Sequence, residues 1–566
     1  MLSPTVDSVG DRLRQYVAVP SDVSPVSAST AVDIRTFPWI RRLASDYAFA
    51  YANVAPFFAG DPATASAWAD TIKRSQALAR QPAEIARILA AQQQSRGAPA
   101  AARASAARLA DPATRVVITG QQAGLFGGPL FTLLKALTAM KLAAKVEREH
   151  KVPVVPVFWI DAEDHDWLEV SGCTVLDSDL APSTIRLADL DGAGHLPIAK
   201  LTLKPDSTAA VDELEAALPD SEFKAAIISS LRKTYAPGEG MATAFGAWLE
   251  EVLGPHGLVV YDSSDPAAKV LARDVFVREV SEPGNTARLA ACAGEALVAK
   301  GYHAQATLAD GTVSVFHLNP ERAAVHVNGS QALIGEREFT LPQLVAEATE
   351  HPEHFSPNVL LRPLVQDTVF PTICYVAGPN ELAYLGQLKD VYAHFGVPMP
   401  LMYQRATVTL ADSATVRFLK KYDLPLTALR AQDEAALNQL LESQLPPTVE
   451  QSLTAASAAI VERMAAVAAA VPLIDPTLAG TVKSTLGKLE HEVHSLHNKV
   501  IHAAKRKDET LRRQFQRAQA LSFPQGHPQE REVGFVWFLN RYGPALVDRL
   551  IDELPLEMGH HWVLTI

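Results

Sequence analysis

The chain has few cysteines and no excess of positive charge. Its 566 residues include three cysteines, Cys173, Cys292 and Cys374, and none of them forms a CxxC pair. This excludes a disulfide framework and a thiolate zinc site, and it favours a reducing compartment. The 51 lysines and arginines are outnumbered by 63 acidic residues, and a net charge of −12 does not attract nucleic acid or an acidic membrane surface.

Targeting and membrane signals are also lacking. The N-terminus has neither the basic start nor the apolar run of a secretory signal, and no uncharged apolar stretch approaches the roughly 20 residues that span a bilayer. We therefore expect a cytoplasmic protein with no membrane and no nucleic acid as partner. A chain of 566 residues exceeds what one hydrophobic core serves, so several domains are expected.

The segment 115–170 carries the strongest structural signal. An apolar strand at 116–119 leads into a glycine-rich turn, a helix opened by Pro129 and a second apolar strand at 154–160. That second strand ends in the acidic sequence DAEDHDW. In open α/β sheets, ligands bind beyond the carboxyl ends of the strands, so two neighbouring polar strand ends predict a site.

The turn TGQQAGLFGGP matches neither GxGxxG nor GxxxxGK. Glycines allow backbone N–H groups to approach a ligand, and a helix N-terminus favours a phosphate or carboxylate. A tight turn whose glycines serve packing alone explains the same pattern. The candidate cofactor-binding residues here are Gly120, Gln121, Gly124, Gly127, Gly128 and Lys135.

The acidic sequence after the second strand supplies candidates for catalysis. Its carboxylates and histidine are suited to orienting an amine, to acid–base chemistry or to holding Mg²⁺. A solvated acidic loop is the alternative. One histidine among carboxylates lacks the spaced partners of a closed zinc site, so no zinc and no metal ligand is assigned. The candidate catalytic residues are Gln122, Asp164, His165 and Asp166.

A third strand, ending at Ala377, is followed by GPNE at the start of a helix. This is the same order of strand, glycine- and proline-containing turn and helix as in the first turn. Together with the strand end at Trp159, it provides candidates for substrate contacts. The candidate substrate-binding residues are Trp159, Glu163, Arg362, Gln366, Asn380 and Glu381.

Residues 427–520 are rich in Ala, Leu, Gln and Glu, which predicts helices. The spacing of apolar residues from Val482 to Ala503 alternates between four and three, which indicates a coiled-coil seam. An upstream helix that ends before Pro472 completes an antiparallel hairpin. We expect this arm to bind a partner. The seam residues are Val482, Leu486, Leu489, Val493, Leu496, Val500 and Ala503.

The motifs ITGQQAGLFGGP, FWIDAEDHD and LRPLVQDTVFPTICYVAGPNELAYLGQL, with PMPLMYQRA, the arm and FLNRYGP, closely resemble the bacillithiol biosynthesis cysteine-adding enzyme family. The resemblance implies an α/β fold with a Rossmann-like, class I synthetase-like parallel core. It also implies two connecting-peptide insertions and a coiled-coil arm that forms a homodimer. The implied reaction is a carbon–nitrogen ligation of L-cysteine to glucosaminyl-malate, with ATP as the expected cofactor and Mg²⁺ as a candidate second one.

The predicted domain organisation follows from the resemblance and from the points where the alternation of predicted strands and helices stops and resumes. The core accounts for residues 1–172, 236–282 and 356–426, with helices at its N-terminal end. The insertions are 173–235 and 283–355, the helical arm is 427–520, and 521–566 packs back on the core.

Two other functional classes remain open from the residues alone. A degenerate nucleotide-binding scaffold would explain the arm as well as a dimeric enzyme does. A metal-dependent hydrolase or nucleotidyltransferase would use the carboxylates of DAEDHD. Charged strand ends favour an enzyme over a scaffold, because a scaffold has no chemical use for them.

Overall fold

The computed structural model describes residues 29–305, 312–318, 322–444, 447–507 and 509–566. These residues form two compact units. The first runs to Leu410 and includes Gln529–Leu564, and the second consists of Ala411–Pro528 with the last two residues.

The strands of the described residues are labelled in chain order. They are β1 (Thr30–Asp33), β2 (Arg115–Gln122), β3 (Val154–Asp161), β4 (Gly172–Leu176), β5 (Pro182–Arg186), β6 (Val259–Asp262), β7 (Thr312–His317), β8 (Ala323–Asn328), β9 (Gln331–Ile334), β10 (Arg337–Thr340), β11 (Phe355–Pro357), β12 (Thr372–Ala377), β13 (Leu401–Gln404), β14 (Thr407–Ala411) and β15 (His560–Thr565). They form sheets of three, five, five and two strands.

The central sheet is parallel and has the order β13-β12-β2-β3-β6. Read from the opposite edge, the strands follow the chain order 3-2-1-4-5, which is the first five places of a Rossmann sheet. Its strands are mostly buried on both faces, as near-continuous apolar runs predict for a parallel sheet. The predicted fold class is confirmed.

Helices cover both faces of this sheet. The longest, Leu130–His150, buries most of its residues, because it lies against β2 and β3. Pro129 is its N-cap and not its first residue, so the helix begins one position later than predicted. The other helices of this core are Trp167–Val170, Met241–Leu253, Pro266–Lys269, Arg273–Ser281, Arg362–Val369, Leu382–Leu385 and Lys389–Phe395.

The N-terminal region is helical, as predicted, with one added strand. Strand β1 pairs with β15 in antiparallel register, so the two ends of the described chain share a sheet. The helices of this region are Arg42–Phe49, Ala65–Ala77, Pro82–Arg96 and Ala100–Ala107.

Two segments interrupt the parallel core. Residues 172–234 contain the β4–β5 hairpin and the helices Ser207–Ala217 and Lys224–Thr234. Residues 285–357 contain the helices Asn285–Ala299 and Leu341–Glu350 and a sheet of order β10-β9-β8-β7-β11, whose pairs are antiparallel.

The C-terminal helices Gln529–Glu532, Phe535–Tyr542 and Ala545–Glu553 belong to the first unit. A buried ion pair joins Glu530 to Arg405, with Nη2 to Oε1 at 2.8 Å and Nη1 to Oε2 at 3.0 Å. Glu530 also accepts a hydrogen bond from the backbone N–H of Val408.

The second unit is helical. The helices Pro447–Ala470 and Ala479–Lys507 pack against each other across a short turn, as the predicted hairpin requires. Leu489 and Leu496 of the predicted seam are 37% and 52% exposed, so an apolar stripe remains uncovered within the chain. The other helices are Ser413–Lys421, Ala435–Ser443 and Glu509–Ser522.

One helical stretch of the described chain, Pro447–Leu473, has the length and apolar content of a membrane-crossing helix, with a mean hydropathy of 1.5. The prediction concerned uncharged stretches, and this one contains Glu450, Glu462 and Arg463, so it does not contradict the prediction. An alanine-rich, unburied helix of this kind is also what a helical arm presents.

Candidate active site

A cavity of about 700 Å³ lies in the first unit, between the parallel sheet and the β7–β11 sheet. This volume is in the usual range for small-molecule sites. The residues that form its wall and are used below are Gly120, Gln121, Gln122, Lys135, Trp159, Asp161, Glu163, Asp164, His165, Glu169, Arg322, Arg362, Tyr375, Glu381 and Tyr384.

Sheet topology places the cavity. Strand β2 continues on one side to β3, and the chain returns on its other side as β12, so the strand order reverses at β2. Gln122 is the register partner of Asp161, which brings the two polar strand ends side by side. The cavity thus lies at the switch point, where ligands bind in open α/β sheets.

Lys135 forms the cationic floor of the cavity. Its Nζ lies 2.6 Å from Glu381 Oε1 and donates to Gly120 O at 2.8 Å and to Gln121 Oε1 at 3.2 Å. Burial acts to raise the pKa of Glu381, but the charge and hydrogen bond of Lys135 help to bring it below its ordinary value. Tyr375 donates its hydroxyl to the other oxygen of Glu381 at 3.1 Å. The site therefore contains a fixed, charged pair.

A hydrogen-bonded chain links the acidic loop to the β7–β11 side. Gln122 Nε2 donates to Asp164 Oδ2 at 2.7 Å, and the backbone N–H of His165 donates to Asp164 Oδ1 at 2.7 Å. Partial burial acts to raise the pKa of Asp164, but the hydrogen bond from Gln122 helps to lower it overall. Arg322 Nη1 donates to His165 Nδ1 at 2.9 Å. This contact assigns the proton of a neutral His165 to Nε2.

Two further carboxyl groups have raised pKa values. Loss of solvent raises the pKa of Glu169 at the rim, where Asp166, Asp164 and Asp161 add like charge. Desolvation also raises the pKa of Asp161, although Arg362 lies 3.8 Å away and opposes the shift. Neighbouring carboxyl groups whose pKa values shift in opposite directions are a recognised mark of acid–base sites.

Glu163 has a different environment. It is 5% exposed, and its Oε2 accepts from Lys269 Nζ at 2.5 Å and from Ser356 Oγ at 3.1 Å. Burial raises its pKa despite the Lys269 charge. Lys269 also donates to the carbonyl of Phe355 at 3.2 Å, so this pair joins the parallel core to β11.

Trp159 and Arg362 present donors to the cavity. Trp159 is 2% exposed, and its indole N–H has no hydrogen-bond partner among the described residues. Arg362 is held by Gln366 Oε1 at 3.3 Å and the Tyr384 hydroxyl at 3.1 Å. A buried donor without a partner is costly, which favours a ligand acceptor near Trp159.

The glycine turn is placed differently from the prediction. Gly120 lines the cavity within strand β2, but Gly124, Gly127 and Gly128 do not reach it. Their N–H groups are bonded to carbonyls of residues 122–125. Gly127 has φ +96, and a Cβ there would lie 2.2 Å from the Phe535 ring. These three glycines therefore serve packing, because their N–H groups are already used.

Three other candidates also lie outside the cavity wall. Asp166 is the N-cap of a helix and accepts from the N–H of Glu169 at 3.2 Å. Gln366 is buried and donates to Asp367 Oδ1 at 3.0 Å, while its own oxygen accepts from Arg362. It therefore positions Arg362 from outside the cavity wall. Asn380 donates to the carbonyl of Trp39 at 3.3 Å.

Several wall residues were not assigned a role from the sequence. Tyr375 and Tyr384 lie within the third motif, so their position in the sequence could have identified them as wall residues. Glu169 lies one helical turn after the acidic run. Arg322 comes from an irregular segment far along the chain, and no local pattern marks it.

The fold and the cavity define a Rossmann-like α/β protein with a polar site at the switch point. Residues 30–406 match the family described as "Bacillithiol biosynthesis BshC, N-terminal Rossmann-like domain", and residues 408–566 match its "C-terminal coiled-coil domain". The chain belongs to this BshC family, which confirms the resemblance.

Similar proteins from three organisms carry the name "Putative cysteine ligase BshC". The Salinibacter ruber protein is 33% identical over 92% of this chain and 95% of its own length. The proteins of Koribacter versatilis and Chlorobaculum tepidum are each 33% identical, over 77% and 79% of this chain and 81% and 82% of their own lengths. These names support a ligase in bacillithiol biosynthesis.

Proposed function

We propose that this chain joins L-cysteine to glucosaminyl-malate through an amide bond in an ATP-dependent reaction. The observation that carries the proposal is the switch-point cavity, whose wall combines carboxyl groups with guanidinium groups. Substrates of this reaction bring an amine and several carboxylates, and this wall offers partners to both.

The amine must lose a proton before it can attack. Asp164, held ionised by Gln122, is suited to orient the substrate ammonium group. Glu169, with a raised pKa, is better matched to accept the proton near neutral pH. Glu169 accepts the first proton of the ammonium group before the attack. The new C–N bond then forms as the bond from the activated carboxyl carbon to its leaving oxygen breaks, and the second amine proton is released to solvent. His165 presents an N–H donor in this arrangement, and this donor orients the reacting groups of the substrates.

The cationic side is suited to bind anions. Arg322 and Arg362 line the cavity, and guanidinium groups match carboxylates and phosphates in two-point contacts. The free indole N–H of Trp159 adds a neutral donor. ATP, when bound, supplies the chemistry that turns a carboxylate oxygen of cysteine into a leaving group. The ammonium group of Lys135 already contacts three acceptors, so it contributes to anion binding through its positive charge.

Mg²⁺ is compatible with the same wall. Asp161 and Asp164 are near enough for their charges to interact, and Mg²⁺ is commonly held by one or two carboxylates together with substrate phosphates. Asp161 would hold the ion together with substrate phosphates, which leaves Asp164 for the ammonium group, and the ion would neutralise phosphate charge.

We extend the proposal to a cytoplasmic homodimer formed through the arm. The exposed seam residues Leu489 and Leu496 support a second copy as the partner, because such a stripe is stabilised by burial. All three cysteines are free thiols in the described structure, which is compatible with a reducing compartment.

Reconstitution tests the proposal. The purified chain is incubated with glucosaminyl-malate, cysteine and ATP, and mass spectrometry follows the product and the nucleotide. We expect the amide product with stoichiometric ADP or AMP. Nucleotide hydrolysis without product would favour the hydrolase, and absence of both would favour the scaffold.

A further inference from the structure

A second cluster of ligand-type side chains lies away from the cavity. His317, at the end of β7, Glu347, in the helix Leu341–Glu350, and His354, just before β11, bring one ligand atom each within 4.8 Å of the others. None of the three lines the switch-point cavity. The reaction proposed above makes no use of them.

The geometry is convergent. His317 Nε2 and His354 Nδ1 lie 2.8 and 3.0 Å from the same oxygen, Glu347 Oε1. In a tetrahedral zinc site with bonds of about 2.0–2.1 Å, neighbouring ligand atoms are about 3.3 Å apart. Each histidine nitrogen would therefore need to move only a few tenths of an ångström away from Glu347 Oε1 to take an ion between them, and the two nitrogens lie within 4.8 Å of each other.

The backbone holds the ligands in place. His317 is the register partner of Phe355, and the N–H of Leu318 donates to the carbonyl of His354 at 2.7 Å. His317 is fully buried, with its ring 5.5 Å from that of Phe355. The Glu347 and His354 side chains are 16% and 26% exposed, which leaves one open side for a water ligand or a further group.

We propose that His317, Glu347 and His354 bind a divalent zinc-class ion that ties the helix Leu341–Glu350 to β7 and β11. Two imidazoles and one carboxylate are a ligand set of known zinc sites, and one negative charge suits a divalent cation. The ion stabilises the sheet whose strand β7 contributes Val313 and Phe316 to the cavity wall. This departs from the expectation of no zinc, which rested on the lack of cysteine pairs and on the acidic loop.

The test uses the full chain without a histidine tag, stripped by a chelator and titrated with Zn²⁺ alone. We expect one saturable site per chain, a rise in Tm with Zn²⁺, and visible absorption bands of low-symmetry Co²⁺ when cobalt replaces zinc. Glu347→Gln and His354→Ala should each weaken Zn²⁺ binding by more than about tenfold, a loss seen even for outer-shell partners.

Controls separate this cluster from other histidines. His491→Ala with His494→Ala, on the exposed face of the arm, should leave the binding constant unchanged. Circular dichroism of the metal-free variants checks that each one folds, and Glu347→Gln keeps the shape of the side chain.

Two results would overturn the proposal. One is the absence of saturable Zn²⁺ binding to the folded wild-type chain. The other is binding that survives Glu347→Gln but is lost in His351→Ala, which would place the ion at the neighbouring group of His351, Glu353 and His354.

Discussion

At the scale of single residues, the acidic loop separates into groups with different environments. Asp164 is held ionised, Glu169 has a raised pKa, and Asp166 caps a helix. The sequence DAEDHDW shows the carboxylates but not these differences, because each depends on which groups the fold brings near. Gln122, which contacts Asp164, comes from a different strand.

Glu169→Gln should lower turnover about 10²- to 10⁴-fold, the usual contribution of a general base, with little change in stability. Asp166→Asn is the matched control, because it makes the same chemical change three residues earlier at a helix cap, where Asn serves as well as Asp. Product formation in the reconstituted reaction measures both. Equal losses in the two variants would contradict the assignment.

The same assignment predicts a pH dependence. A base must be deprotonated to act, so activity should fall as the pH drops through the raised pKa of Glu169. This acidic limb should lie above the ordinary range of a glutamate and should disappear from the residual activity of Glu169→Gln. A pH profile of kcat/KM provides the measurement.

At the scale of elements, the strand–turn–helix unit and its neighbouring strand were predicted, but the sequence left the role of the turn open between anion binding and packing. The alternation of apolar and polar stretches predicted that β2 and β3 lie next to each other, and their register confirms this. The glycine pattern alone suits an anion site and a packed turn equally. Phe535, which decides between them, lies about 400 residues away along the chain, and one sequence does not reveal that contact.

Gly127→Ala should destabilise the first unit by about 2–5 kcal/mol, because it adds steric overlap with Phe535 to the cost of a positive φ. Gly97→Ala is the control, since Gly97 also has a positive φ but open space around its Cβ, and it should cost about 1–2 kcal/mol. Denaturant unfolding of both variants measures the difference. Similar losses would mean that packing against Phe535 is unimportant.

The C-terminal segment is joined to the core by the buried Arg405–Glu530 pair. Glu530→Gln should destabilise by about 3–5 kcal/mol, because it leaves a buried guanidinium without its countercharge. Glu84→Gln, in an exposed pair with Arg87, should show no measurable change in the same unfolding experiment.

Acid should reduce the effect of Glu530→Gln. Burial acts to raise the pKa of Glu530, but Arg405 lowers it below the ordinary value. A carboxyl group with a lowered folded-state pKa stabilises the protein above its unfolded pKa, and this stability is lost as the pH falls through the folded pKa. The free-energy difference between wild type and variant should therefore shrink at low pH.

At the scale of the whole molecule, the helical arm was predicted from its heptads, and its helices are present. The described helices of this region are Pro447–Ala470, Ala479–Lys507 and Glu509–Ser522. Oligomeric state depends on contacts between copies, so neither the sequence nor one chain reveals it directly.

Leu489→Asp combined with Leu496→Asp should convert the proposed dimer into a monomer, because burying two carboxylates in a seam costs more than the seam gains. Val298→Asp is the control, since Val298 is 56% exposed on a helix of the first unit, far in sequence from the arm. Sedimentation equilibrium gives the masses. A wild-type monomer, or a dimer that survives both seam substitutions, would contradict the arm as the interface.

The central claim is that the switch-point cavity activates the carboxylate of cysteine for attack by an amine. Cysteine labelled with heavy oxygen in its carboxylate tests this most directly, in a reaction with glucosaminyl-malate and ATP. The account predicts that one labelled oxygen appears in the phosphate or AMP released, in proportion to amide product, and that Glu169→Gln slows both together. Amide product without label in the nucleotide-derived product, or no product at all, would contradict it.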